Sequence, residues 1–305
     1  MTAADATRRE PRVDRLSGEA AKKRTLWIVI IVLSGLFGSA AQPATAQQTW
    51  DCVSEVVTYQ SGQLRIFGIL WRPNRTGKFP VLLYNHGSRP GRERQPFLTT
   101  DVRCWQMVTG TDLVILWPER RGYWGSDGPT YAQELGPFEP TPDFAKRAIG
   151  RLYAEADDVL AGLDFLESRE LADVRRVAIM GHSLGGIVSI FAASKAPKRF
   201  HAVIDQAGGF QPGWIGYDMM RDELIAAARK LESPLLIQHA SNDTFVTPDV
   251  SRQLFSALRA VGKPVQYEEL PSVVLDGHGI FFFGERTRHW WSQVNVFIKS
   301  AWGIP

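Results

Sequence analysis

Hydrophobic and polar positions along the chain fall into two alternating textures. Short apolar runs rich in β-branched residues, of the kind buried in a sheet, recur as "FPVLLYNHGS", "DLVILWPE", "RRVAIMGHS", "FHAVIDQAGG" and "SPLLIQHASND". Between them apolar residues return at helical spacing, which predicts helices over 97–110, 154–168, 184–196, 219–230 and 248–261. Two strand-like runs at 53–59 and 64–72, joined by "QSG", predict an antiparallel hairpin at the start. "PVQYEEL" reads as a last strand and "RHWWSQVNVFIKSAW" as a closing helix. Apolar strands alternating with amphipathic helices define an α/β protein with a mostly parallel sheet covered on both faces. In such a sheet the site lies beyond the carboxyl ends of the strands, in the turns after Tyr84, Met180 and Gln238.

The first 46 residues depart from this rhythm. "RREPRVDR" and "KKR" lead into the apolar "TLWIVIIVLSGLFGSAA", and "ATA" closes the stretch, the pattern of a secretory signal cleaved after Ala46. The strongly apolar part, 26–37, is short for a membrane span, while the basic segment is long for a cleaved signal, so an uncleaved anchor is the alternative. A domain over 47–305 in a periplasmic or secreted setting follows, with a membrane as partner only if the segment is retained.

Composition changes the picture in two places. At 305 residues, 44% hydrophobic and 22% charged, the chain can bury a large core. Removing the seven basic and four acidic residues of 1–46 from totals of 35 and 32 leaves 28 of each, so the basic balance belongs to the leader. A charge-balanced remainder with no basic stripe gives no case for nucleic-acid binding. The two cysteines, Cys52 and Cys104, both follow the expected cleavage site, and an oxidising compartment predicts a disulfide between them.

The candidate chemistry begins at "MGHSLGG". A buried strand passes through a sharp turn into a helix, and Gly181 and Gly185 flank Ser183 in the spacing G-x-S-x-G, which marks Ser183 as a nucleophile. A serine hydroxyl needs a base, and the base needs an acid that holds its tautomer. Asp243 in "HASNDTFVTPD" and His278 in "LDGHGI" supply these in the chain order Ser183, Asp243, His278. Asp205, closing "AVIDQ", is the rival acid. Asp276 and Asp249 read as turn and helix caps, and His86, His182, His201, His239 and His289 as structural histidines. No HExxH or paired CxxC is present, so neither a metal site nor a cofactor is expected.

With these residues the chain resembles the α/β-hydrolase family, in its dienelactone-hydrolase-like and prolyl-oligopeptidase-like branch, over about 53–302. The resemblance implies a serine hydrolase in which backbone N–H groups of Leu184 and of Ser88, the residue after His-Gly in "NHGS", hold the oxyanion. Dienelactone hydrolases proper carry cysteine as nucleophile, so Ser183 points to ordinary ester-like substrates. Esterase action on small carboxylic esters is the expected function; an exopeptidase on short peptides and a non-catalytic binding protein on the same fold are the alternatives. Loop aromatics Trp124, Phe138, Phe210, Trp214 and Phe245 are expected to border the substrate pocket. "PERRGYWGSDG" resembles the family's Arg-Gly-x-Gly-x-Ser turn, where Arg120 and Arg121 brace the turn or meet an anionic substrate, and a Pro/Gly-rich insertion follows it.

Overall fold

The computed structural model describes residues 52–88, 112–137, 139, 141–211, 216–282 and 285–304. The chain divides into Met1–Gln48 and Thr49–Pro305. The leader expected over 1–46 lies outside the described residues, as do Cys104, Phe138, Trp214 and the helix expected over 97–110. Among the described residues no helix is long and apolar enough to cross a membrane.

Eight strands form one sheet: β1 (Cys52–Ser61), β2 (Leu64–Pro73), β3 (Phe79–Asn85), β4 (Val114–Glu119), β5 (Ala172–His182), β6 (Ala202–Gln206), β7 (Leu235–Ala240) and β8 (Val265–Leu270). Their spatial order is β1-β2-β4-β3-β5-β6-β7-β8. The hairpin β1–β2 and the β2–β4 pair are antiparallel, and every later pair is parallel. The chain has the α/β-hydrolase fold.

Strand alternation sorts the core into two halves. Leu83, Leu116, Ile179 and Val203 face α2 (Pro142–Ser168), α3 (Leu184–Lys195), α4 (Tyr217–Ala228) and α5 (Pro248–Arg259). Leu82, Ile115, Met180 and Ile204 face the other way, against Trp290, Val294, Phe297 and Ile298 around α6 (Trp291–Ala301). The central strands are buried on both faces, which is why they read as unbroken apolar runs.

Two elements differ from the sequence reading. The helix expected over 154–168 begins at Pro142, because Thr141 caps it by accepting from the Phe144 N–H at 3.1 Å and Pro142 occupies its first turn. The insertion before it contains α1 (Tyr131–Leu135), opened by a capping box between Thr130 and Gln133. Buried Arg151 of α2 ties this piece down, donating to the Pro129 carbonyl at 3.0 Å and pairing with Glu134.

Candidate active site

β5 ends at His182 and α3 starts at Leu184, so Ser183 alone must turn the chain. It does so at φ 57° and ψ −126°, in the positive-φ region that non-glycine residues rarely adopt. Its N–H donates to the Gln206 carbonyl at 2.9 Å, which fastens the strained residue to the end of β6. The flanking glycines are required by space. A Cβ at 181 would lie 2.1 Å from the Gly185 carbonyl oxygen, and one at 185 would lie 2.1 Å from the Asn85 carbonyl oxygen. The first turn of α3 therefore rests directly on the end of β3.

That contact also brings the turn after β3 up to Ser183. A Cβ at Gly87 would come within 3.1 Å of the Ser183 Cβ, so the turn carrying Ser88 passes against the nucleophile. Leu184 opens α3, where backbone N–H groups have no partner within the helix and the positive end of the helix dipole sits.

His278 and Asp243 meet. His278 Nδ1 lies 2.8 Å from Asp243 Oδ2, the Asp243 side chain being fully buried. Asp243 Oδ1 accepts from the N–H groups of Phe245 at 3.0 Å and Val246 at 2.8 Å. Burial alone would raise the Asp243 carboxyl, but hydrogen bonds from His239 and His278 and the charge of His278 overcome it, holding the group well below the usual carboxylate range. Asp243 is thus an ionised acceptor that fixes a proton on His278 Nδ1, which leaves Nε2 as the basic nitrogen of the neutral ring.

Two neighbours hold the acid loop and the base loop together. Asn242 donates through Nδ2 to the Val273 and Leu275 carbonyls, both at 2.9 Å, and its Oδ1 accepts from the Val273 N–H at 3.2 Å. Asp276 caps the 3-10 turn Gly277–Phe281 by accepting from the His278 N–H at 2.8 Å, while its other oxygen accepts from Thr244. Gly277 is needed between them, since a Cβ there would lie 2.7 Å from Asn242 Oδ1. Asp276 had a sequence signal as a turn cap. Asn242 had none beyond its place beside Asp243.

The remaining histidines differ in role. The His182 ring centroid lies 4.6 Å from that of His278, packing the residue before the nucleophile against the base. Burial, then the charge of His278, lowers His182 to about 3, so it is neutral. His239, read from sequence as structural, is fully buried with its Nε2 3.1 Å from Asp243 Oδ2. His86 is buried against Tyr123, with ring centroids 4.6 Å apart, and its Nδ1 meets the Gly87 carbonyl. His201 Nδ1 accepts from the Val177 N–H. The rival acid Asp205 accepts from the Gly208 N–H at 2.9 Å and is raised to about 6 by burial, while Nδ1 of His278 is taken by Asp243.

The arginines brace the turn rather than open to a substrate. Fully buried Arg120 donates to Glu155 at 2.6 Å and to the His86 carbonyl at 2.9 Å, which supports the oxyanion turn from below. Arg121 makes three bonds to buried Asp158. Of the expected pocket aromatics, Phe245 flanks His278 with ring centroids 5.0 Å apart. Trp124 packs edge-on against Phe67 of β2, and Phe210 packs against the larger core. Asp249 lies inside the first turn of α5 and pairs with Arg252; Thr247 occupies the cap position expected of it.

A strained serine between strand and helix, a buried Asp–His pair and a braced turn thus lie together on this sheet. Residues 146–229 match the family model described as prolyl oligopeptidase family. A curated relative, dipeptidyl peptidase family member 6 of Caenorhabditis elegans, is 25% identical over 151 residues, 40% of this chain and 20% of its own length. The acylaminoacyl peptidase of Pyrococcus horikoshii superposes with a TM-score of 0.60 at 21% identity, over 82% of this chain and 41% of its own. A Klebsiella pneumoniae protein ascribed to the dienelactone hydrolases superposes at 0.55 with 16% identity, over 81% of this chain and 98% of its own. This chain thus spans about a fifth of the curated relative and two-fifths of the archaeal peptidase.

Proposed function

We propose that the chain is a serine hydrolase that cleaves small carboxylic esters through an acyl-enzyme intermediate. The observation that carries this reading is the strained Ser183 at a helix N-terminus together with the 2.8 Å contact between His278 and ionised Asp243. In the first half-reaction Ser183 Oγ adds to the ester carbonyl carbon as its proton passes to His278 Nε2. The N–H groups of Leu184 and Ser88 take the negative oxygen of the tetrahedral adduct. Collapse breaks the bond to the alcohol oxygen, which receives the proton from His278. Water then repeats the sequence on the acyl group, and the acid leaves. No step calls for a cofactor.

The surroundings of the base favour an apolar leaving group. Phe245 is 49% exposed, Phe282 58% and Leu275 70%, and the Phe282 ring stands edge-on to His182. Phe245 stands against His278 and Phe282 against its neighbour His182, so an alcohol half with alkyl or aryl character gains contact there. Neutral His182 adds no charge. The match of residues 146–229 to the prolyl oligopeptidase family supports a second reading, an exopeptidase whose leaving group is an amine. Export to a periplasmic or extracellular space and a Cys52–Cys104 bond complete the proposal.

One experiment separates the readings. Residues 47–305 are assayed on acetate esters of ethanol, butanol and hexanol, whose leaving groups are equally basic, beside aminoacyl anilides. Ester turnover with kcat/KM rising by up to about fourfold per buried methylene is expected, and the rise should flatten in Phe245→Ser with Phe282→Ser. Anilides cleaved faster than esters would favour the exopeptidase, and no turnover of either would favour an inert binder.

A further inference from the structure

Asp243 Oδ2 is shared by two histidines. His278 reaches it from the loop after β8, and His239 Nε2 reaches it from inside β7 at 3.1 Å. The same Nε2 lies 2.7 Å from the Val246 carbonyl oxygen, and His239 Nδ1 lies 2.7 Å from Ser251 Oγ of α5. A carbonyl and an ionised carboxylate can only accept, so Nε2 carries the proton and donates to both; the Ser251 hydroxyl then donates to Nδ1. Val246 closes the ring, because its own N–H donates to Asp243 Oδ1.

We infer that His239 is a positioning residue for the acid of the triad. Resting on the serine-hydrolase reading above, it locks the carboxylate plane of Asp243 so that one lone pair of Oδ2 faces His278, and it draws off part of the charge that His278 feels. The two N–H groups on Oδ1 fix one end of the carboxylate, and His239 fixes the other. Without His239 the carboxylate can swing about its Cβ–Cγ bond and the Val246 carbonyl loses its buried donor. A satisfied structural histidine would need only Ser251 and Val246. The bond to Asp243 is what ties this ring to the chemistry.

The electrostatic consequence has a definite sign. A carboxylate relieved of one donor holds a protonated His278 more strongly, so the acid limb of the kcat/KM profile moves to higher pH. The other titratable groups that interact with His239 are Asp205 from β6, Glu269 from β8 and His182 from β5, while Asp276 acts on His278 and Asp243; the substitutions below leave all four in place.

The test compares His239→Asn with His239→Gln. Asparagine keeps a polar group near Ser251 but stops short of Asp243, whereas glutamine puts an amide N–H about where Nε2 stands. His239→Asn is expected to lower kcat/KM on butyl acetate about tenfold to a hundredfold, mainly through kcat, and to shift its acid limb upward. His239→Gln should recover most of the rate and the wild-type limb. A folded His239→Asn within twofold of wild type, or with its limb unmoved, overturns the inference. Should that variant not fold by circular dichroism, Ser251→Ala, which frees Nδ1 and lets the ring turn, carries the same expectation of a raised limb, and an unmoved limb overturns it. Wild-type protein inert to both the ester and a fluorophosphonate removes the serine-hydrolase reading and the inference together, whereas active wild type with unaltered variants removes the inference alone.

Discussion

Gly185, in the first turn of α3, is packed so tightly on Asn85 at the end of β3 that a Cβ at 185 would lie 2.1 Å from the Asn85 carbonyl oxygen and 2.5 Å from that of His86. The helix behind the nucleophile and the strand behind the oxyanion turn are thereby held in a single fixed relation. Further contacts reinforce it, with Asn85 Nδ2 donating to Ser189 Oγ at 2.9 Å and that hydroxyl donating to the Gly185 carbonyl at 2.8 Å.

Gly185→Ala should therefore destabilise the protein by about 3 kcal/mol, at the upper end for overpacking, because both clashing atoms are backbone. Gly150→Ala is the matched control. It lies on the exposed side of α2 with open space around its Cβ, and should stabilise by about 0.5–1 kcal/mol. Urea denaturation of both variants checks the pair; equal effects would mean that the contact at the elbow is not tight.

The two candidate acids make opposite predictions. Asp243→Asn leaves His278 without an anionic acceptor on Nδ1 and should cost on the order of 10⁴ in kcat, with the fold retained. Asp205→Asn keeps an oxygen for the Gly208 N–H and should change kcat by less than about fivefold. The reverse ranking would assign the acid to β6.

Asp205 also carries a pH signature. Burial raises its folded pKa to about 6 from 3.8, so the folded state prefers the protonated form. Its contribution is fully present below about pH 4 and is lost as pH rises through about 6. The stability of Asp205→Asn relative to wild type should accordingly grow between pH 4 and 8, by up to about 3 kcal/mol. Denaturation midpoints across that range test it, and a flat difference would mean that Asp205 ionises freely.

Much of this site was legible because its residues sit where strands end. Ser183 announces itself through glycines forced by backbone contact, and Asp243 and His278 through their places after β7 and β8. His239 and Asn242 were not legible as site residues. His239 lies inside an apolar run, where a histidine reads as core, and its meaning depends on the loop folding back so that Asp243 comes under it. Asn242 acts on carbonyls more than 30 residues away. The start of α2 was missed because its first three turns carry Asp143, Lys146, Arg147 and Arg151 among the apolar residues. The partners of Arg151, Pro129 and Glu134, lie in a segment that read as a loop.

Cys52 opens β1, half-buried, and Cys104 lies outside the described residues. If the proposed bond forms, it closes a loop of about 50 residues and should stabilise by around 4 kcal/mol, less any strain. A thiol titration of exported, denatured, unreduced protein is expected to find no free thiol, and reduction should lower Tm while sparing the initial rate. Two free thiols per chain would contradict the bond.

Covalent labelling reports directly on whether Ser183 is the nucleophile. A fluorophosphonate phosphonylates an activated serine with loss of fluoride, and the adduct can be located by peptide mass spectrometry. Stoichiometric modification is expected at Ser183, slowed on the order of 10³-fold or more in His278→Ala and absent in a folded Ser183→Ala that has also lost ester turnover. An unlabelled wild type, label on another serine, or a Ser183→Ala variant that keeps most of its activity would contradict it.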